Sequence, residues 1–258
     1  MTRLNDDFLD GTGRGLVSYE REFRAFSGLG FFELGCKACG LSSKRGKEIL
    51  SRRIGVVPIT SGDGIIGTFA GAVTDILEYT GFTVFVTDNR DVNGFAEAHT
   101  EGADAVFMAD DERFIAVNLN SRRISDNNRA TALGFITALE GAADGLAGKD
   151  VLILGYGVVG SCAAYILRQK GANPVIFDTD PLKQDICSSE IADYKYIFDA
   201  TPEGGWLTAD MLHKDALAVY AGVPLSLDSE ARARFKGRFV HDNLSTGVIV
   251  MAFDALGV

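Results

Sequence analysis

Residues 150–180, DVLILGYGVVGSCAAYILRQKGANPVIFDTD, constrain the fold more than any other part of the chain. An apolar run at 151–154 leads into Gly155-x-Gly157-x-x-Gly160, a helix-like segment and a second apolar run ending at Asp178. Each glycine has a mechanical reason in a strand–loop–helix turn. Gly155 permits the tight turn, Gly157 lets backbone approach a pyrophosphate, and Gly160 allows helix and strand to pack closely. Val158 and Val159 open the helix, whose free N–H groups and positive dipole end suit a diphosphate. Asp178, eighteen residues after Gly160, stands where a carboxylate binds both ribose hydroxyls. It repels a 2′-phosphate, and no Arg or Lys follows before Lys183. These residues favour NAD as cofactor over NADP; the plain alternative is a glycine-rich turn in an α/β fold that binds nothing.

Around this unit, short apolar runs alternate with helix-like segments. Strands are expected at 54–57, 82–87, 105–109, 151–154, 174–177, 196–199, 217–221 and 238–241. Helices are expected at 65–79, 94–101, 130–146, 158–170 and 181–191. Continuous apolar strands separated by amphipathic helices mean an α/β chain with largely parallel sheets. Asp126, Asn127 and Asn128 are candidate N-caps for a long helix, and the break is drawn there. Two domains are expected. Residues 1–128 form an N-terminal α/β substrate domain built from strand–helix units. Residues 129–243 form a C-terminal Rossmann-type NAD-binding domain with a parallel sheet, 129–147 being the connecting helix. A last helix, within 244–258, returns to the first domain, and a cleft is expected between the two. Residues 16–26 read as an amphipathic helix, and 28–47, rich in Gly, Lys and Ser, as irregular.

A net charge of −10 argues against nucleic acid or anionic membrane as partner and suits a cationic substrate. The apolar runs are interrupted well short of a membrane span, and the first ten residues carry no secretory signal, so a cytoplasmic chain is expected. Cys36 and Cys39 form a C-x-x-C with no second pair or His cluster. A structural zinc site wants four ligands, so reduced thiols and no metal are expected. The partners left are a small-molecule substrate and a second copy of the chain in a homodimer.

A second glycine-rich loop, PITSGDGIIG, follows the strand at 54–57 and precedes a helix. Thr60 and Ser61 and the free N–H groups around them then lie at the C-terminal edge of a sheet, where ligands bind. Such a loop favours an anion, a substrate carboxylate as well as a phosphate; alternatively Thr60 or Ser61 simply caps the helix. In DAVFMADDERF a buried strand ends at Asp110, followed by Asp111 and Glu112. One of these is expected to cap a following helix, and another to hold an ammonium group or take its proton. Asp88 is a lesser candidate and His241 a weaker candidate base. Thr201 and Pro202, and Gly222 after the next strand, fall where loops line a nicotinamide, or are ordinary strand-ending turns.

IGVVPITSGDGIIGTF, FVTDNRDVNGFAEA, VFMADDERFIAVNL and DNN, in that order, resemble the pyrrolysine-biosynthesis dehydrogenases of the pyrrolysine synthase PylD family. The resemblance is strong from residue 53 to 128 and looser through the glycine fingerprint. It implies oxidation of L-lysine-Nε-3-methyl-D-ornithine: NAD takes hydride from the carbon bearing the ornithine side-chain amine, ammonia is lost, and the ring of pyrrolysine closes. By the same resemblance Asp110 orients or deprotonates the reacting amine and Asn128 hydrogen-bonds that end of the substrate. Thr60, Ser61 and Ile66 bind substrate. HDNLSTG stands where the family has Glu-Pro-Leu-x-x-Gly, so Asp242 takes the Glu position one methylene shorter and Asn243 replaces the Pro. The competing readings are another NAD-dependent amino-acid or imine oxidoreductase, and an NAD-binding sensor without catalysis. A folate dehydrogenase/cyclohydrolase-like reading wants a catalytic Lys at a strand end of the first domain, and none is there.

Overall fold

The computed structural model describes residues 12–61 and 69–257. The chain divides into two compact units, one of Met1–Glu20, Phe31–Ala130 and Leu244–Val258, the other of Arg21–Gly30 and Thr131–Asn243. Helix α1, Thr12–Ser27, contributes to both.

The first unit opens with α2, Phe31–Ala38, and α3, Ser43–Leu50, where an irregular segment was expected. The glycines that suggest irregularity are places of close packing. A Cβ on Gly35 would strike the Phe253 ring, and one on Gly46 would strike Cys36 Sγ. Ser42 caps α3 by accepting from the Arg45 N–H at 3.2 Å, and Phe31, Leu34 and Ile49 are buried. There follow β1, Arg53–Val57; α4, Phe69–Thr80; β2, Thr83–Val86; α5, Asp91–Thr100; β3, Ala105–Ala109; β4, Phe114–Asn118; and β5, Ile124–Asp126. The first four residues of the helix expected at 65–79 lie outside the described residues.

The sheet order is β2-β1-β3-β4-β5. Strand β1 pairs in parallel with β2 and β3, whereas β3–β4 and β4–β5 are antiparallel. The helix expected after Asp110 is therefore absent: β3 turns straight back into β4. FIAVN explains why, because Phe114, Ala116 and Asn118 are buried while Ile115 and Val117 are half-buried, the period of a strand. Helix α6, Asn127–Ala142, follows, with Asp126 accepting from the Asn128 N–H at 3.0 Å at its start. The last helix of the chain, Ser245–Leu256, packs in this unit. Its apolar residues are buried all round. Phe32 and Phe82 meet Phe253 edge-on, and Asn118 Nδ2 donates to the Ala255 carbonyl at 2.8 Å.

The second unit carries β6, Asp150–Leu154; α7, Val158–Gln169; β7, Asn173–Phe177; β8, Tyr196–Asp199; β9, Leu217–Tyr220; α8, Ser229–Arg234; and β10, Phe239–His241. All pairings are parallel, in the order β10-β9-β8-β6-β7. Numbered from β6 this is 2-1-3-4-5, a doubly wound order. The helix expected at 181–191 does not form; turns lead to a 3-10 helix at Ser188–Asp193. Its polar side chains compete for the backbone. Asp180 accepts from the Leu182 N–H, Asp185 accepts from the Ile176 N–H on β7, and Glu190 accepts from the Cys187 N–H.

Candidate functional site

In open parallel sheets a ligand binds beyond the C-terminal strand ends, where the strand order reverses. In the first unit that point lies between β1 and β3, and Thr60 and Ser61 follow one strand while Asp110 follows the other. The sequence thus brings Thr60, Ser61 and Asp110 to one edge. Ser61 is exposed, and Ile66 lies outside the described residues.

Thr60 does not present its donors for an incoming anion. Its N–H donates to Asp91 Oδ1 at 2.7 Å and its hydroxyl donates to Asp91 Oδ2. The Thr60 hydroxyl, then its N–H, hold the Asp91 carboxyl below its ordinary range. Asp91 has a left-handed backbone, φ 54°, and its N–H donates to the Pro58 carbonyl at 3.0 Å. A β-carbon is costly there, and Asp tolerates the conformation better than most residues. Gly94 lets this turn close, because a Cβ on it would meet the Asn89 carbonyl and Val57. Glu97 then ties the turn down by accepting from the N–H groups of Asp88 and Asn89, both at 2.8 Å. Asp91 was legible only as part of FVTDNRDVNGFAEA, with no role of its own; its partner, thirty-one residues earlier, is visible only in the fold.

Asp110 is exposed, and its Oδ1 accepts from the N–H groups of Arg113 at 2.7 Å and Glu112 at 2.9 Å. Those two bonds, Arg113 first, hold its carboxyl low, so it is ionised at neutral pH. It caps a hairpin turn rather than a helix. Asn128 sits in the first turn of α6 at the same sheet edge, since β5 runs parallel to β3 two strands away. Arg113 links the two places through an ion pair with Asp126 at 3.1 Å. Asp242 is not in this unit; it follows β10 in the second.

In the second unit the reversal lies between β6 and β8, and the glycine loop fills it. Gly155 has φ +85°, and a Cβ there would sit 3.2 Å from Ala200 and Thr201. On Gly160 a Cβ would collide with the Gly155 carbonyl oxygen. Gly157 differs: its φ is −77°, and a Cβ would meet no atom of the described residues within 4 Å. The fold itself requires two of the glycines and not the third. The open space at Gly157 leaves room for a pyrophosphate to approach the backbone, so the loop fits a dinucleotide. Val158 and Val159 supply the first turn of α7.

Asp178 accepts from the Tyr156 N–H at 2.6 Å and the Asp180 N–H at 2.9 Å. Burial pushes its carboxyl up, but those N–H groups and Lys183 outweigh it, and the net shift is downward. Replacing Asp178 by Ala is expected to weaken nicotinamide dinucleotide binding at least tenfold, as titration calorimetry with NAD and with NADP would show; charged hydrogen bonds contribute about 1.5–3 kcal/mol each.

Pro202 is exposed, while Thr201 and Gly222 are held in a network that sequence reasoning missed. Its centre is Asp199, 1% exposed. Thr201 donates to it from N–H and hydroxyl, both at 2.7 Å, and the Ser226 hydroxyl also donates to it. Burial drives the Asp199 carboxyl from 3.8 up to about 6 despite those donors. The folded chain therefore binds this proton more tightly than the unfolded one. Stability from this group is highest below about pH 4 and is lost as pH rises through about 6, the ionised form costing about 3 kcal/mol. Asp199→Asn is accordingly expected to raise the melting temperature relative to the parent at pH 7.5 but not at pH 4.

His241, read as a weaker candidate base, is half-buried at the end of β10. Its Nε2 donates to the Gly222 carbonyl at 3.1 Å, and burial pushes its pKa down to about 4. The four cysteines are free thiols, with Cys39 pushed up to about 12 by burial. Among the described residues no group of three or more His, Cys, Asp or Glu is arranged to hold a metal, and no helix is long and apolar enough to cross a membrane.

Residues 25–125 match the family model described as the N-terminal domain of pyrrolysine biosynthesis protein PylD. Pyrrolysine synthase of Methanosarcina barkeri is 32% identical over 218 residues, 80% of this chain and 82% of that protein. The pyrrolysine synthase of Methanosarcina acetivorans is 31% identical over 216 residues, 79% of this chain and 82% of that protein. Among solved structures, the bifunctional methylenetetrahydrofolate dehydrogenase/cyclohydrolase FolD of Campylobacter jejuni aligns with a TM-score of 0.57 at 16% identity over 96% of each chain. Quinate dehydrogenase of Corynebacterium glutamicum, in complex with NAD, aligns with a TM-score of 0.52 at 13% identity over 81% of this chain and 94% of that one. At those identities the two structures share its fold and nothing more specific. The extent and identity of the two sequence relatives are of another order, and the chain belongs to the PylD family of pyrrolysine-biosynthesis proteins.

Proposed function

We propose that the chain is an NAD-dependent dehydrogenase acting on a CH–NH2 group, which oxidises the ornithine side-chain amine of L-lysine-Nε-3-methyl-D-ornithine in the last step of pyrrolysine formation. The observation that carries the cofactor half is Gly157, a glycine that neither dihedral nor packing among the described residues requires, between two that the fold does require. Family membership and the carboxylates at the first sheet's edge support the substrate half.

Bound NAD supplies a hydride acceptor. The residues of the chain bind and orient. In the second unit Gly155, Gly157, Gly160 and the first turn of α7 receive the diphosphate, Asp178 the ribose, and Thr201, Pro202 and Gly222 the nicotinamide end. In the first unit Asp110, ionised and already fixed by its turn, aligns the substrate's side-chain ammonium rather than acting as a strong base. Asp91 adds a second fixed negative charge at that edge, and Thr60 positions it. The edge so described recognises a cation, which shifts the work of Thr60 from binding a carboxylate to ordering a carboxylate of the protein. Ser61, Ile66 and Asn128 contact the substrate, and Asp242 meets a second ammonium group. The ammonium gives one proton to water and the carbon bearing it gives hydride to the nicotinamide; the substrate's own α-amine then attacks the resulting iminium carbon, ammonia leaves, and the five-membered ring closes.

The test is incubation of the purified chain with NAD and synthetic isopeptide, following NADH absorbance and product mass. NADH with a product at the mass of pyrrolysine is expected. NADH from other amino acids but not from this isopeptide would favour a different amine oxidoreductase; NAD binding with no turnover of any amine would favour a sensor.

A further inference from the structure

The glycine loop accounts for how one end of a dinucleotide is held. At the other end the loops after β8 and β9 must keep a fixed shape, and one buried carboxylate ties both. We propose that Asp199 is a positioning residue that locks these two loops in the arrangement that receives the nicotinamide, an inference that rests on the cofactor reading above.

The geometry is specific. Within its own loop Asp199 Oδ1 takes both Thr201 donors at 2.7 Å. Across to the loop after β9, its Oδ2 takes the hydroxyl of Ser226, which is itself 2% exposed. The Asp199 backbone carbonyl accepts from the Ala221 N–H at 2.8 Å and the Gly222 N–H at 3.2 Å. The loops touch so closely that a Cβ on Gly222 would collide with the Thr201 backbone. With its proton given to Asp199, the Thr201 hydroxyl accepts from Trp206 Nε1 at 3.3 Å, and Trp206 stacks on Phe177 with ring centroids 6.1 Å apart. His241 closes the far side by donating to the Gly222 carbonyl. Three donors converge on one side chain, which two carboxylate oxygens satisfy and a single amide oxygen does not.

A carboxylate this deeply buried is costly to keep ionised, and that cost is informative. Protonation puts an O–H where Asp199 otherwise only accepts, and so sets it against the Ser226 or Thr201 hydroxyl. The titratable side chain facing Asp199 from β9 is Tyr220, whose phenol burial and Asp199 push well up. On β10, His241, with Asp242 and Arg232 near it, is already neutral at mild acid pH. Within this network, then, Asp199 is the group whose charge changes between pH 5 and 7.

Trp206 is the chain's single tryptophan, so its emission reports on the network without any cofactor. The experiment compares the full-length parent with Asp199→Ala, Asp199→Asn and Ser226→Ala, reading Trp206 emission against pH and NAD affinity by calorimetry. Asp199→Ala is expected to change the emission and weaken NAD at least tenfold. Asp199→Asn keeps an oxygen for Thr201 but turns an N–H toward Ser226, as the protonated acid turns an O–H. It is therefore expected to bind NAD at every pH with the weaker affinity that the parent shows below pH 6. It should also abolish the emission change that the parent shows around pH 6. If Asp199→Ala does not fold, Ser226→Ala carries the test, with a threefold or greater loss of NAD affinity expected. A parent that binds no NAD sinks the cofactor reading. A parent that binds NAD, with Asp199→Ala or, where that does not fold, Ser226→Ala binding it equally well and emitting identically, overturns the role of Asp199 alone.

Discussion

Gly157→Val is expected to weaken NAD binding about a hundredfold while the chain folds and melts as the parent does. A Cβ at 157 would meet no described protein atom within 4 Å, and φ −77° suits any residue, so parent-like folding is expected. What the branched side chain fills is the space through which a pyrophosphate reaches the N–H groups of α7. A loss of affinity of about a hundredfold, about 2.8 kcal/mol, follows if the phosphates are held off by even one atom's width. Gly160→Ala is the control with the opposite signature. Its Cβ collides with the Gly155 carbonyl, and overpacking of that kind costs about 1–3 kcal/mol of stability before any ligand is added. Thermal melts and calorimetry on the two variants separate a glycine kept for a ligand from one kept for the fold. Parent-like NAD affinity in Gly157→Val would remove the main support for a dinucleotide at this loop.

Asp110→Asn is expected to lower kcat/KM for the isopeptide by about a hundredfold, near the lower end of what one positioned catalytic group contributes. Asn is the informative substitution because both turn bonds, from Glu112 and Arg113, fall on the one oxygen that Asn retains as Oδ1. The hairpin survives and only the charge and one oxygen change. A rise in KM with kcat kept would mean that Asp110 binds the ammonium equally before and during reaction; a fall in kcat would mean that the alignment matters as the bond breaks. The pH dependence has a definite sign. Backbone N–H groups hold Asp110 below its ordinary range, so it stays ionised through mild acid and gives no acid limb there. The parent is expected to show an acid limb near pH 6 from Asp199, which should survive in Asp110→Asn and vanish in Asp199→Asn.

The legible parts of the fold are those in which a local pattern and the tertiary structure ask for the same thing. The strands flanking the glycine loop are short, continuous and apolar because a parallel sheet buries both their faces, and they appear close to where the runs place them. Misreadings occur where one residue serves two purposes. Gly35 and Gly46 look like turn residues, yet they are there so that Phe253 and Cys36 can come close. Asp110 at a strand end suggests a helix cap, and it does cap backbone N–H groups, but those of a hairpin whose second strand shows its period only in FIAVN. The segment 181–191 has the apolar spacing of a helix and too many side chains that bind backbone to become one.

At the candidate site the difference lies in sequence distance. The glycine loop is contiguous, so its chemistry can be read from one stretch. Asp91 with Thr60, and Asp199 with Ser226, are pairs separated by 31 and 27 residues, and nothing local distinguishes these carboxylates from other acidic residues. Asp91 becomes notable through a left-handed backbone, and Asp199 through complete burial among hydroxyl donors.

The most direct measurement of the central claim uses isopeptide deuterated at the ornithine carbon that bears the side-chain amine, with mass spectrometry of both products. The account predicts NADH carrying one deuterium and a pyrrolysine that retains one on its imine carbon. Unlabelled NADH, or a product with both deuteriums kept, would contradict it, because hydride would then leave from a different carbon.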